Sequence, residues 1–196
     1  MAMNLKKNGC LLQSTESGQI QWVTGLWFLL FLGVLLCAAL QMDIYRSSSQ
    51  YLEDALAASN LAAAVVDVEE YGISNQIRID DPEKAYQRYL TAVKGNLNLD
   101  DAWECPNRSI AAGPIRIVNF TVYNVGEEEV EIYHFDEMGT MTFQRGNRGY
   151  VTAPDGSAVE ATGIYSEISY LTRGLFGLEV QAHKGKLADI VRNEEQ

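Results

Sequence analysis

The residues best able to carry out chemistry in this chain are few, and they are not spaced as known sites are. There are two histidines, His134 and His183. Neither has a second ligand one helical turn away or a neighbouring cysteine, as zinc sites require, and we interpret both as surface residues of strands. The sequence contains no nucleophile elbow, phosphate-binding loop or dinucleotide fingerprint. It therefore predicts no catalytic residue, no cofactor, no metal ligand and no small-molecule substrate, and the chain is expected not to be an enzyme.

Acidic residues cluster at one predicted helix start and at two predicted turns. Residues 80–83 read Asp-Asp-Pro-Glu, which is typical of a helix start: an acidic N-cap, proline at the first helical position and a carboxylate in the first turn. Residues 100–104 and 127–131 also hold several carboxylates, but in no regular calcium loop. Solvated turns are the favoured interpretation, and calcium binding at the latter two remains open.

The charge of the chain argues against one class of partner. The net charge is −11, and every acidic residue except Glu16 follows position 42. A strongly acidic domain repels nucleic-acid phosphates, so no nucleic-acid partner is expected. Only one cysteine, Cys105, lies in this acidic part, so no disulfide can form within it. We expect Cys105 to be a small buried residue.

The sequence predicts that a membrane anchor precedes the part of the chain that holds these residues. Residues 22–40 are apolar and uncharged, and a helix of about 20 such residues matches the hydrocarbon core of a bilayer. Lys6 and Lys7 precede the run, and basic residues beside a span stay on the cytoplasmic side. The sequence predicts a single-pass protein of the cell membrane, with a cytoplasmic N-terminus and an extracytoplasmic C-terminal domain. A cleavable secretory signal is the alternative, although its apolar region is normally only about 7–15 residues long.

The rest of the pattern predicts the domain organisation and the fold class. The predicted segments are a polar cytoplasmic leader at 1–18, a transmembrane helix at 19–42, an Ala-rich helix at 43–72 that continues from the span, and an exported domain at 73–196. In the exported domain, Asp81 is expected to cap a helix that ends at Lys94. The predicted strands are 114–125, 129–135, 140–145, 149–153, 157–162, 164–173 and 178–190. Helices followed by an antiparallel sheet indicate an α+β fold.

The Ala-rich helix at 43–72 carries the strongest candidate for a binding surface. Its apolar and small residues recur every three or four positions and form an amphipathic stripe. Ala55, Ser59 and Ala63 place small side chains at every fourth position, which allows another helix to approach closely. The residues predicted to pack are Leu52, Ala55, Leu56, Ser59, Ala62, Ala63 and Val66.

The N-terminal third of the chain resembles a known family. A short basic leader, an apolar span soon after Gly18, Tyr45-Arg46, and then residues 52–64, Leu-Glu-Asp-Ala-Leu-Ala-Ala-Ser-Asn-Leu-Ala-Ala-Ala, resemble pilin-like proteins, or pseudopilins, of the tight-adherence (Tad) pilus, one of the type IV pilus-related secretion systems. The resemblance implies a structural subunit that lies in the membrane, is processed at its leader, and joins or primes a filament of packed N-terminal helices. Gly18 is the possible processing site. The implied partners are the lipid bilayer and other pilin-like or secretion-system subunits.

The leader departs from the pattern of that family. Pilin-like precursors are typically cut after a glycine and carry glutamate at the fifth mature position. A cut after Gly18 would place Val23 there, and a cut after Gly9 would place Ser14 there. The departure favours a minor or priming subunit, or an uncleaved assembly component, over the major pilin. The alternative function is a membrane-tethered extracytoplasmic binding or sensor domain whose long helix serves as a stalk.

Overall fold

The computed structural model describes residues 14–106, 108, 110–174 and 178–190. The chain divides into two compact units, Met1–Asp43 and Ile44–Gln196. The helices are α1 (Ser14–Ala63), α2 (Val68–Ser74) and α3 (Pro82–Asn96). The strands are β1 (Arg116–Val125), β2 (Glu129–Phe135), β3 (Met141–Asn147), β4 (Gly163–Arg173) and β5 (Glu179–Asp189). The predicted α+β fold is confirmed.

The first unit contains the N-terminal part of α1, and its apolar side chains are exposed. Trp22 is 83% exposed and Trp27 is 69% exposed. Among the described residues, α1 is the one helix long and apolar enough to cross a membrane. Leaving this much apolar surface in water would be unfavourable, so the helix requires a covering of lipid or protein.

The predicted leader at 1–18 differs from the structure at its C-terminal end. Residues 1–13 lie outside the described part of the chain, whereas α1 begins at Ser14, so Gly18 lies inside the helix. Adding residues to an existing helix costs far less than starting one. The long apolar helix therefore extends backwards through residues 14–18, although these are polar.

The predicted single helix over 43–72 is also wrong at its end. α1 stops at Ala63, Val66 forms an isolated antiparallel bridge with Ile79, and α2 begins separately at Val68. Three β-branched valines at 65, 66 and 68 lower the helix propensity at this point. Asp67 then accepts a hydrogen bond from the Glu69 backbone N–H at 2.9 Å, as a helix cap does.

The second unit is built on one five-stranded antiparallel sheet with the order β3-β2-β1-β4-β5. β1 is central and pairs with β2 on one side and β4 on the other. β3 and β5 form the two edges, each paired with a single neighbour. Five predicted strands correspond to these elements. The predicted strands 149–153 and 157–162 do not form; they belong to a loop with one isolated bridge, Thr152–Ala158, since neither segment pairs with a strand of the sheet.

One face of the sheet packs against helices. Leu52 and Leu56 of α1 and Tyr89 of α3 are fully buried with Phe120 of β1 and Ile164 of β4. The predicted start of α3 is confirmed: the Asp81 carboxylate accepts from the Lys84 backbone N–H at 2.9 Å, and Pro82 is the first helical residue. The helix ends at Asn96, two residues after the predicted end at Lys94. Cys105 is buried in the same cluster as expected.

The opposite face of the sheet is partly covered by the loop at 148–162. Tyr123 of β1 and Tyr165 of β4 are buried with Ala153 and Val159 from that loop. Burial raises the pKa of Tyr123 to about 12. The remainder of this face carries polar side chains, including His134 and Glu167.

Candidate functional site

Most of the packing residues predicted on α1 lie on its inner face, which we define as Leu52, Ala55, Leu56, Ser59, Asn60 and Ala63. All six are buried at 7% exposure or less. The four apolar members share a buried cluster with residues of α3, β1 and β4, so this face lies against the chain's own sheet and α3. The Asn96 amide of α3 donates to the Ser59 hydroxyl at 2.9 Å. The predicted partner, a helix of another subunit, is therefore replaced at this face by the domain's own core.

Two polar side chains, Asn60 and Glu53, fix the inner side of α1 to the sheet. The Asn60 amide donates to the backbone carbonyls of Ile164 at 3.2 Å and Lys186 at 2.8 Å. The Glu53 carboxylate pairs with the ammonium groups of Lys184 at 2.7 Å and Lys186 at 2.8 Å. Hydrogen bonds from these two lysines lower the pKa of Glu53 to about 2. This part of α1 is therefore held to β4 and β5.

The outer face of α1, which we define as Tyr51, Asp54, Ala58, Leu61 and Ala62, is exposed. Ala62 was predicted on the same stripe as Ala55, and the structure places it on the exposed side of the helix instead. It follows Ala55 by two turns, and the drift of about 20° per seven residues in a straight helix carries it away from the sheet. Val66 was predicted on the same stripe and instead lies beyond the helix, in its bridge with Ile79. Leu61 is 55% exposed, so the outer face offers both apolar and small side chains to a partner.

A second candidate is a cleft of ≈340 Å³ beside the β1–β2 turn. Its lining includes Arg78 from the segment after α2, Glu131 from β2 and Arg145 from β3. The Arg78 guanidinium pairs with Glu131 at 2.7 Å, and Arg145 approaches the same carboxylate at 3.7 Å. Two arginines thus share one half-buried carboxylate, while Glu127 and Glu128 at the rim are exposed. We call this the Arg78 cleft.

The Arg78 cleft was not predicted from the sequence, although the acidic turn at one side of it was. Arg78, Glu131 and Arg145 come from three separate segments, and none belongs to a motif. The only usable signal is the alternation of β2 and β3, which places Glu131 opposite Arg145 once their register is known.

The two histidines lie on strands, as predicted. His134 of β2 has Nδ1 3.1 Å from the Thr121 hydroxyl, and His183 of β5 has Nδ1 3.1 Å from a carboxylate oxygen of Glu167. In the described part of the chain, no group of three or more His, Cys, Asp or Glu side chains is placed to hold a metal ion. At the acidic turn 100–104, Asp100 accepts hydrogen bonds from local backbone N–H groups, which accounts for its carboxylate.

Comparisons of this chain with protein-family models, with curated proteins and with solved structures gave no match.

Proposed function

We propose that this chain is a membrane-anchored structural component of a pilus or secretion apparatus, of the minor-pilin or pseudopilin kind, acting by helix packing and protein–protein contacts. The observation that carries the proposal is the exposed apolar surface of α1 in the first unit. Side chains as large as Phe28 and Leu36 are 64% and 62% exposed there. Lipid covers such a surface in a membrane, and neighbouring helices cover it in an assembly.

The charge of the chain supports an orientation for the anchor. Lys6 and Lys7 precede the apolar run, and the strongly acidic part follows it. Basic flanks stay on the cytoplasmic side, so the N-terminus is cytoplasmic and the second unit is extracytoplasmic. A reporter fused to the C-terminus that is active only outside the cytoplasm is expected to be active.

The surface available for other subunits in the second unit is the outer face of α1. The inner face is occupied by the chain's own sheet, so contacts with neighbours fall to the exposed residues. Ala58 and Ala62 allow a close approach, and Leu61 adds apolar area. The small residues that contact neighbouring subunits in this proposal are therefore those of the outer face, whereas the periodicity predicted the inner face.

Photocrosslinking of the full chain in native membranes tests the outer face. A photoreactive amino acid at Ala58 or Leu61 is expected to form adducts with another membrane-anchored subunit of the apparatus. The matched control is Ala102, which is also exposed but lies outside α1. Equal protein adducts from Ala102, or none from Ala58 and Leu61, would contradict the proposal.

Processing at the leader is decided by the intact mass of the membrane-extracted protein. Gly18 lies within α1, and proteases cut extended chain, so helical structure at this position supports an uncleaved assembly component. A full-length mass is expected. A mass that corresponds to a cut after Gly18 would instead support a processed minor pilin.

The Arg78 cleft favours a second candidate function, a membrane-tethered extracytoplasmic binding or sensor domain with α1 as its stalk. A cleft of ≈340 Å³ with convergent charged groups is large enough for a small ligand or a side chain. The variant Arg78→Ala separates the two functions. Under the structural proposal it leaves the Ala58 and Leu61 crosslinks unchanged, whereas loss of those crosslinks would make ligand binding in the cleft the primary event.

A further inference from the structure

The second unit exposes apolar side chains at the end where the chain enters it. The chain enters at Ile44, and Tyr45 follows in α1. Leu178 lies immediately before β5, and Val180 lies within that strand. All four side chains are at least 50% exposed. We call these four residues the apolar end.

The contacts of α1 with the sheet show that β4 runs towards the apolar end. Near the start of β4, the Ile164 carbonyl accepts a hydrogen bond from the Asn60 amide at 3.2 Å. Further along the strand, Tyr170 lies near Tyr45, since burial and this neighbour both raise the pKa of Tyr170. As β4 advances, its contacts therefore move back along α1 towards the point where the chain enters the second unit.

The strand pair of β4 and β5 continues beyond this contact. The Gly174 N–H donates to the Leu178 carbonyl at 2.7 Å, so the pairing extends at least to these residues. At a rise of about 3.3 Å per residue, Gly174 lies about 13 Å beyond Tyr170 along the strand. Leu178 and the neighbouring Val180 therefore lie beyond the level of Tyr45, at the end of the second unit where the chain enters.

The alternation of β5 places its exposed apolar residues on the same side of the sheet as α1. Lys184 pairs with Glu53 of α1 at 2.7 Å, and Ala182 packs against the buried cluster that includes α1. Alternate residues of a strand point to the same face, so Val180 follows on this side and Leu178 continues it. The apolar end is therefore one surface, shared by α1 and by the strand pair.

The length of the chain keeps the apolar end close to the apolar run at 22–40. Leu40 is the last residue of that run, and Ile44 is the fourth residue after it. Four residues span at most about 14 Å, and the headgroup layer on each side of a bilayer is about 5–8 Å thick. If the run spans the bilayer, the chain therefore enters the second unit within or beside the headgroup layer.

The side chains of the apolar end and their neighbours suit a phospholipid surface. Tyrosine is enriched where a protein crosses the boundary between membrane and water, and Tyr45 has this position in the sequence. The exposed charges next to the apolar residues in sequence balance, with Arg46 and Arg173 against Asp43 and Glu179. Such charges stay among the headgroups while apolar neighbours enter more deeply, so a zwitterionic phospholipid meets no net repulsion from them.

We propose that the apolar end rests in the surface of a phospholipid bilayer, with Leu178 and Val180 at the boundary between headgroups and acyl chains. The second unit then lies on the membrane and does not stand away from it on a stalk. Lipid that covers these side chains removes apolar surface from water, which is favourable. The inference rests on the membrane anchor of the proposed function and adds a second membrane contact to it.

Lipid photocrosslinking of the full chain in phosphatidylcholine vesicles tests the apolar end. The matched control for Val180 is Val68, an exposed valine of α2. It belongs to the opposite end of the second unit, where the Thr162 hydroxyl, just before β4, donates to the Ile77 carbonyl at 2.7 Å. A photoreactive amino acid at Val180 is expected to gain the mass of one phospholipid at least about fivefold more often than at Val68.

A pair of aspartate variants tests whether the apolar side chains make the contact. Leu178→Asp places a charge at the boundary with the acyl chains, so lipid adducts at Val180 should fall by about threefold or more. Ile73→Asp, the same change at an exposed residue of α2, should leave the yield at Val180 unchanged. Equal yields in the two variants would overturn the proposal.

Alkaline carbonate extraction of the same vesicles separates failure of this inference from failure of the proposed function. Release of the wild-type chain from the vesicles would overturn the membrane anchor, and this inference with it. If the chain stays bound, equal lipid adducts at Val180 and Val68 would overturn this inference alone. Protein adducts in place of lipid adducts at Val180 would do the same, because they would show that another chain covers the apolar end.

Discussion

The inner and outer faces of α1 in the second unit have similar compositions but opposite surroundings. Leu56 on the inner face is fully buried against the sheet, and Leu61, little more than one turn later, is 55% exposed. Ala55 and Ala58 are likewise buried and exposed. An Ala- and Leu-rich helix therefore has no single role along its circumference: one face stabilises the domain, and the other is available to a partner.

Truncating one leucine on each face is expected to give the largest difference in the free energy of unfolding. Leu56→Ala removes a fully buried side chain and leaves a cavity, so the free energy of unfolding should fall by about 2–5 kcal/mol. The matched change Leu61→Ala should alter it by no more than about 0.5 kcal/mol. Urea unfolding of the second unit in detergent-solubilised full chain, followed by near-UV circular dichroism, measures both. Similar losses would mean that the outer face is also covered within the chain.

The periodicity of α1 predicted that one face is buried, and for five of the seven predicted residues it identified that face. It could not predict the partner, because an apolar stripe fits a sheet of the same chain as well as a helix of another. The end of the helix was predicted too late because the three- and four-residue spacing of apolar positions continues through Val66. In the structure, the low helix propensity of three valines and the Val66–Ile79 bridge end the helix earlier. The Arg78 cleft depends on the register of β2 with β3, which alternation alone does not specify.

Enlarging an alanine on each face is expected to give the next largest difference in the free energy of unfolding. Ala55→Leu adds side-chain volume where Ala55 is 7% exposed, so overpacking should destabilise the second unit by about 1–3 kcal/mol. Ala58→Leu on the outer face should leave the free energy of unfolding within about 0.5 kcal/mol of the wild type.

Ala58→Leu is expected to change assembly although it leaves stability unchanged. Ala58→Leu blocks the close approach of a neighbour, so crosslinks from Leu61 should weaken although the domain remains folded. Unchanged crosslinking in Ala58→Leu would show that neighbours do not pack on this face.

Removing the Asn60 amide is expected to lower the free energy of unfolding as much as Ala55→Leu does, or less. Asn60→Ala leaves the carbonyls of Ile164 and Lys186 without their side-chain donor, and the loss of buried hydrogen bonds costs about 1–3 kcal/mol. Asp54→Ala, six residues earlier on the outer face, is the control and should have little effect on urea unfolding. A neutral Asn60→Ala would mean that packing of the leucines alone holds α1 to the sheet.

The smallest effect on the free energy of unfolding is expected from the ion pairs at the side of the inner face, and it disappears in acid. The pKa of Glu53 is about 2 in the folded chain and near its ordinary value of 4.5 when unfolded, so its contribution is complete above about pH 4.5 and is lost as the pH falls towards 2. Because the Glu53 side chain is 35% exposed, we expect only about 1 kcal/mol. Glu53→Gln should therefore be less stable than the wild type at pH 7 and converge with it near pH 2. The control is Asp54→Asn, at the neighbouring carboxylate on the outer face, and it should lose stability in acid as the wild type does. If the stability of both variants follows the wild-type pH profile, Glu53 does not hold α1 to β5.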